Sequence, residues 1–154
     1  MKFGEPTIFV RYLRESCQAE NAGIQEELTT EDHPGAVIRR IREGLPMAEF
    51  AALGDWMQMS DEELAPLLGI SRATFHRRKK AGHLEPPESE KLIRFARLIT
   101  RATEVFEDEE SAREWLRTPA VAFEGESPLS FADTEIGARE VEYLLGRLEH
   151  GVFS

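Results

Sequence analysis

With one cysteine in 154 residues, Cys17, the chain cannot build an internal disulfide framework, which fits a reducing compartment. It also has no apolar run long enough for a signal-peptide core or a membrane span. The opening stretch "MKFGEPTIFVRYLRES" carries only a short apolar patch, broken by Arg11, so no membrane contact is expected and the default location is cytoplasmic. No Gly-rich phosphate loop is present. His76 and His83 stand seven apart with no Cys or carboxylate at a zinc-ligand spacing, so a surface role is expected for both. Cys17 lies in a polar stretch with nothing nearby to activate its thiol. The carboxylates of "EDEE" and "DTE" form no fixed pair flanked by apolar residues and read as solvated helix starts. The expectation is therefore no catalytic residue, no metal and no cofactor: a protein that binds rather than an enzyme.

What is present is a folded, charged chain. Hydrophobic residues make up 41% and charged residues 31%, against the profile of a disordered protein. The net charge of −10 is spread unevenly. Residues 1–70 hold 6 Lys+Arg against 13 Asp+Glu, residues 71–101 hold 9 against 3, and residues 102–154 hold 4 against 13. Screening confines charge interactions to roughly 8 Å in physiological salt, so the basic middle can bind a polyanion although the whole is acidic. The acidic flanks repel nucleic acid, so any such contact must run through 71–101.

Residues 1–35 read as a polar arm interrupted by Gly and Pro. From Ala36 the pattern is helical. Val37, Ile38 and Ile41 precede Gly44, and Pro46 is placed at the opening of the next helix. Phe50, Leu53, Trp56 and Met57 then follow at helical spacing. "EPPES" reads as a linker, and 88–106 as a long helix with Leu92, Phe95, Ala96, Ile99, Ala102 and Phe106 on one stripe. Arg94, Arg97 and Arg101 form a second stripe, open to either phosphate or neighbouring carboxylates. "EDEESAREWLRTP" reads as a helix stopped by Pro119, "AVAFEGESPLSFADTE" as a loop with at most one turn, and "GAREVEYLLGRLEHG" as a final helix. No convincing strand follows residue 13. The expected fold is all-α, with an arm at 1–35, a helix-turn-helix region at 36–87 and a small helical domain at 88–154.

The stretch "LAPLLGISRATFHRRKKAGHL" concentrates the signals. Ser60 and Glu63 form a capping box, Leu64, Leu67 and Leu68 give a short apolar face, and Gly69 allows a tight turn. Ser71 can cap a second helix that runs through Lys80 and stops at Gly82. Short helix, glycine turn and second helix are the parts of a helix-turn-helix, with Ala65 small at the crossing and Ile70 filling the core. Ser71, Arg72, Thr74, Arg77, Arg78, Lys79 and Lys80 are the candidate DNA-binding residues, through base edges, phosphates and the helix N-terminus. A plain solvated basic helix face is the competing reading of that run.

The pieces "RFARLITRATEVF", "AREWLRTP", "GESPLSFADTEIGAREV" and "LLGRLEHGVFS", in this order, resemble the toxin-binding domain of Xre/MbcA/ParS-type antitoxins. The preceding "LAPLLGISRATFHRRKKAGHLEPPES" is similar to the helix-turn-helix such proteins carry upstream, so the resemblance covers about residues 45–154. It implies a type II antitoxin whose partner is a RES-domain toxin, an ADP-ribosyltransferase-like consumer of NAD. The C-terminal region would occlude the toxin's active site, and the helix-turn-helix would repress the protein's own operon. Carried onto this chain, the candidate toxin-binding residues are Arg147, Glu149, His150, Gly151, Val152, Phe153 and Ser154. On the residues alone, Phe153 can instead fold back on the last helix. A homodimer within a larger toxin–antitoxin complex on operator DNA is expected, since helix-turn-helix modules commonly pair on two half-sites. A stand-alone regulator with a C-terminal ligand- or protein-binding domain is the alternative.

Overall fold

A computed structural model describes residues 34–151. It shows eight α-helices among the described residues, and no strand: α1 (Pro34–Glu43), α2 (Met47–Met57), α3 (Asp61–Leu67), α4 (Arg72–Ala81), α5 (Pro86–Phe106), α6 (Glu109–Arg117), α7 (Pro128–Phe131) and α8 (Glu135–Glu149). A 3₁₀ turn, Val121–Phe123, links α6 to α7.

Side chains next to each helix explain most of its boundaries. Ser60 accepts from the Glu63 amide while the Glu63 carboxylate accepts from the Ser60 amide at 2.9 Å, which starts α3 and holds Glu63 below the ordinary carboxylate range. Ser71 accepts from Thr74 N and starts α4, which closes at Gly82 in the left-handed region. The Asp108 side chain accepts from both the hydroxyl and the amide of Ser111, and both bonds lower its pKa.

The structure differs from the sequence reading at four boundaries. α1 begins at Pro34 rather than near Ala36. Pro46 is the cap before α2, with φ −59°, rather than its first residue. "EPPES" is not a linker: Pro86 and Pro87 begin α5, where no intrahelical N–H is yet needed. The stretch read as a loop before the last helix holds the 3₁₀ turn, α7 and the start of α8, set by Thr134 accepting from Gly137 N.

One core runs from Leu45 through α8. Phe50, Leu53, Met57, Leu64, Leu68 and Ile70 fill the helix-turn-helix end, and Leu116, Phe123, Leu129, Val141 and Leu145 fill the other. α5 is the shared wall between them, with Leu92, Phe95, Ala96, Leu98, Ile99 and Ala102 fully buried. Two arginines of α6 bind across the seam. The Arg113 guanidinium lies 5.0 Å from the Trp56 ring and donates to its carbonyl, and Arg117 donates to the carbonyls of Met57 and Gln58 at 3.2 Å. These are end carbonyls of α2, which lack intrahelical donors and favour a cation. The end of α1 is tied to the end of α4 as well. Leu84 N donates to Leu45 O at 2.8 Å and Met47 N to Gly82 O at 3.0 Å, with Gly44 at φ +92° making the turn between.

Candidate functional site

Two surfaces carry the residues singled out in the sequence. The first is α4. Its inner side is anchored by half-buried Phe75, whose ring lies 5.0 Å from that of Phe50, and by buried Ile70 just before the helix. This fixes which residues face out. Arg72, Arg77, Lys79 and Lys80 are exposed, and none of the four pairs with a carboxylate among the described residues. Thr74 is half-buried. Its hydroxyl accepts from Ser71 Oγ at 2.9 Å and from Arg77 Nη2 at 3.1 Å, so Ser71 and Thr74 organise the first turn and steady Arg77.

Arg78 stands apart from its neighbours. Its Nε donates to both oxygens of buried Glu88, at 2.9 and 3.1 Å, and this hydrogen bond raises the guanidinium's pKa further. Glu88 also accepts from the Glu85 amide at 2.8 Å. Arg78 therefore fastens α4 to the start of α5. The first turn of α3 carries Asp61 and Glu62, which form one rim of an open groove whose other rim holds Arg72, Arg77 and Lys79. Positive charge is confined to the α4 side, so a polyanion is attracted there and repelled by the α3 rim.

The second surface is α8. Its inner face, Ala138, Val141 and Leu145, is buried against the core. Along one flank Arg94, Arg97 and Arg101 of α5 meet Glu135, Glu142 and Glu149 of α8. Arg94 Nε lies 3.1 Å from Glu135, Arg97 lies 2.6 Å from Glu142 and 3.3 Å from Glu135, and Arg101 pairs with Glu149 and, at 3.4 Å, with Glu104. The question left open for this arginine stripe is resolved in favour of carboxylates. Burial raises the Glu135 pKa, but Arg97 and Arg94 lower it more, and the net shift is downward. The hydrogen bond from Arg101 lowers that of Glu149.

Of the residues assigned to toxin contact, Glu149 is thus engaged within the chain. Arg147 lies with its guanidinium 5.8 Å from the Tyr143 ring. His150 and Gly151 are exposed at the end of α8, with Gly151 at φ +67°. Val152, Phe153 and Ser154 lie outside the described residues.

The ladder gives a testable pH dependence. A carboxylate depressed in the folded state stabilises above its unfolded pKa, about 4.3 for Glu, and the gain is lost as pH falls through the folded value. Replacing Arg97 and Arg101 with Gln should lower the melting temperature by roughly 2–4 °C at neutral pH and low salt, the scale of exposed pairs. The difference from wild type should shrink below about pH 4 and in molar salt. A difference constant across pH 3–7 would show that the ladder carries no ionic stability.

Both surfaces lie within regions that match known families. Residues 36–97 match the family described as the antitoxin Xre-like helix-turn-helix domain. Residues 101–151 match that described as the antitoxin Xre/MbcA/ParS C-terminal toxin-binding domain. A protein named Antitoxin Xre from Yersinia enterocolitica is 37% identical over 120 residues, covering 77% of this chain and 81% of that protein. The chain belongs to the Xre antitoxin family. A second Xre antitoxin, from Photorhabdus laumondii, is 31% identical over 116 residues, covering 74% of this chain and 78% of its own length. In Xre terms α3–α4 is the helix-turn-helix and α6–α8 the body of the toxin-binding region, with α5 spanning the three residues, 98–100, between the two matches. No helix among the described residues is long and apolar enough to cross a membrane.

Proposed function

We propose that this chain is a cytoplasmic type II antitoxin that neutralises a RES-domain, NAD-consuming toxin by blocking its active site, and that it represses its own operon. The observation that carries the reading is the match of 101–151 to a toxin-binding domain, in a chain whose other matched half is a helix-turn-helix. The RES assignment is supported by the resemblance of residues 45–154 to antitoxins paired with such toxins. Inhibition is by binding: Arg147, Glu149, His150 and Gly151, at and just after the end of α8, contact the toxin together with Val152, Phe153 and Ser154, and the last of these residues enter its cofactor pocket. The ladder holding α8 to α5 supports this, because a rigid helix loses less freedom on binding than a loose one.

Operator binding is assigned to Arg72, Arg77, Lys79 and Lys80 on α4, with Ser71 and Thr74 setting the first turn. Arg78 acts there by holding α4 in place. A homodimer places two copies of α4 one DNA turn apart.

Co-expression in bacteria with the neighbouring reading frame tests the toxin half. The full chain should restore growth and copurify with that frame's product, while a chain ending after Glu149 should still bind but fail to rescue. Failure of both chains to bind the neighbouring product would remove the antitoxin reading. The stand-alone regulator would then take its place.

A further inference from the structure

α8 has a third face that the core and the ladder leave uncovered. Ile136 is 77% exposed and Tyr143 is 67% exposed. They are seven residues apart, two helical turns, and fall on one stripe together with Arg147, flanked by Arg139 and Glu140. Four large hydrophobic residues are exposed among the described residues, and three of them, Val121, Ile136 and Tyr143, lie inside the stretch matching a toxin-binding domain. Single exposed apolar residues need no explanation, but two on one helical stripe beside an arginine stacked on the aromatic ring are the kind of anchors that interfaces use.

We propose that the Ile136–Tyr143–Arg147 face of α8 is the main docking surface for the toxin, separate from the blocking end of the helix. This rests on the antitoxin reading above. The division of labour follows from the geometry: α8 is 15 residues long, about 22 Å at 1.5 Å per residue, so its flank can seat on a partner while its end reaches into a pocket. The partner surface is an apolar patch that takes the tyrosine ring and the isoleucine. These anchors set how long the partner stays, since affinity differences within one interface lie mostly in the dissociation rate.

The experiment uses the full chain and the purified product of the neighbouring reading frame, with affinity read by titration calorimetry. Replacing Ile136 and Tyr143 with Gln leaves the charge unchanged and keeps two good helix formers at exposed sites. An unchanged melting curve controls for folding. The double variant should bind on the order of 100-fold more weakly. Tyr143→Phe alone should bind almost as tightly as wild type, because the ring is kept. Equal binding by wild type and the double Gln variant would overturn the assignment. So would a double variant that binds normally but has lost self-association in sedimentation, which would make the face a seam between two copies of this chain. If wild type itself does not bind, the antitoxin reading fails and the assignment falls with it. Weakened binding of the double variant to a product that wild type holds tightly isolates this face.

Discussion

Alanine at Gly137 should destabilise the protein by about 2–4 kcal/mol, while alanine at Gly146 in the same helix should stabilise it by up to about 1 kcal/mol. Both glycines lie in α8, and composition or propensity would treat them alike. Their surroundings do not. A Cβ on Gly137 would sit 1.7 Å from the Phe131 carbonyl oxygen and 2.8 Å from its carbon, where no rotamer change helps because both atoms are backbone. Gly137 is in the first turn of α8, its amide bonded to Thr134 Oγ1 at 3.1 Å, and the carbonyl of α7 lies directly over it. A methyl there must open the α7–α8 corner and disturb Phe131, whose ring lies 5.1 Å from that of buried Phe123. At Gly146 the nearest atom to a new Cβ is Nη2 of Arg101, 4.0 Å away at the end of a flexible side chain. Alanine fits there and removes the entropy that glycine loses in a helix. For a chain of this size the first substitution should lower the melting temperature by roughly 5–15 °C and the second should raise it slightly. A Gly137→Ala variant that melts like wild type would mean that the close approach is absent in solution.

That contrast also shows which parts of the molecule were legible in the sequence. The α3–α4 unit was readable because its signals are local: Ser60 with Glu63, Ser71 with Thr74 and Gly82 each act within three or four residues. The apolar stripe of α5 was readable because 21 residues give the helical period time to show. The 121–134 stretch was not, because a four-residue α7 and a 3₁₀ turn are too short for a helical period to show, and their packing rests on aromatic rings. Trp115, Phe123 and Phe131 form a chain of ring contacts at 6.2 and 5.1 Å that no periodicity announces. The destinations of Arg94, Arg97 and Arg101 were hidden for a similar reason. Their main partners lie 38 to 48 residues away, and sequence carries no register between helices. Arg78 looked like its neighbours in a basic run, but Glu88 sits ten residues on, across the α4–α5 turn, and claims it. The exposed pair Ile136 and Tyr143 did carry a sequence signal. They interrupt the polar side of a helix whose apolar side was already accounted for.

Within α4, two kinds of arginine should give opposite experimental signatures. Replacing Arg72, Arg77, Lys79 and Lys80 with Ala should leave the melting temperature nearly unchanged, since none of them pairs with a carboxylate among the described residues. It should weaken binding to the protein's own promoter fragment by on the order of 1,000-fold or more, at about 1–3 kcal/mol for each lost contact. The salt dependence separates phosphate contacts from other losses. Each phosphate contact removed should reduce the slope of log K against log salt by about 0.9, so loss of all four per protomer flattens it by about 3.6. Arg78→Ala should do the reverse. It strips buried Glu88, 8% exposed, of its cation and leaves a carboxylate that still binds the Glu85 amide but has no charge partner within the α4–α5 corner. Stability should fall by about 1–3 kcal/mol, with the salt slope of the folded fraction close to wild type. Glu88→Gln, which keeps the shape and one acceptor, should recover part of that loss in the Arg78→Ala background. A quadruple variant with an unchanged salt slope would show that α4 does not face DNA. Its exposed cations would then be a solvated face, and this helix-turn-helix would serve the fold and the partner rather than an operator.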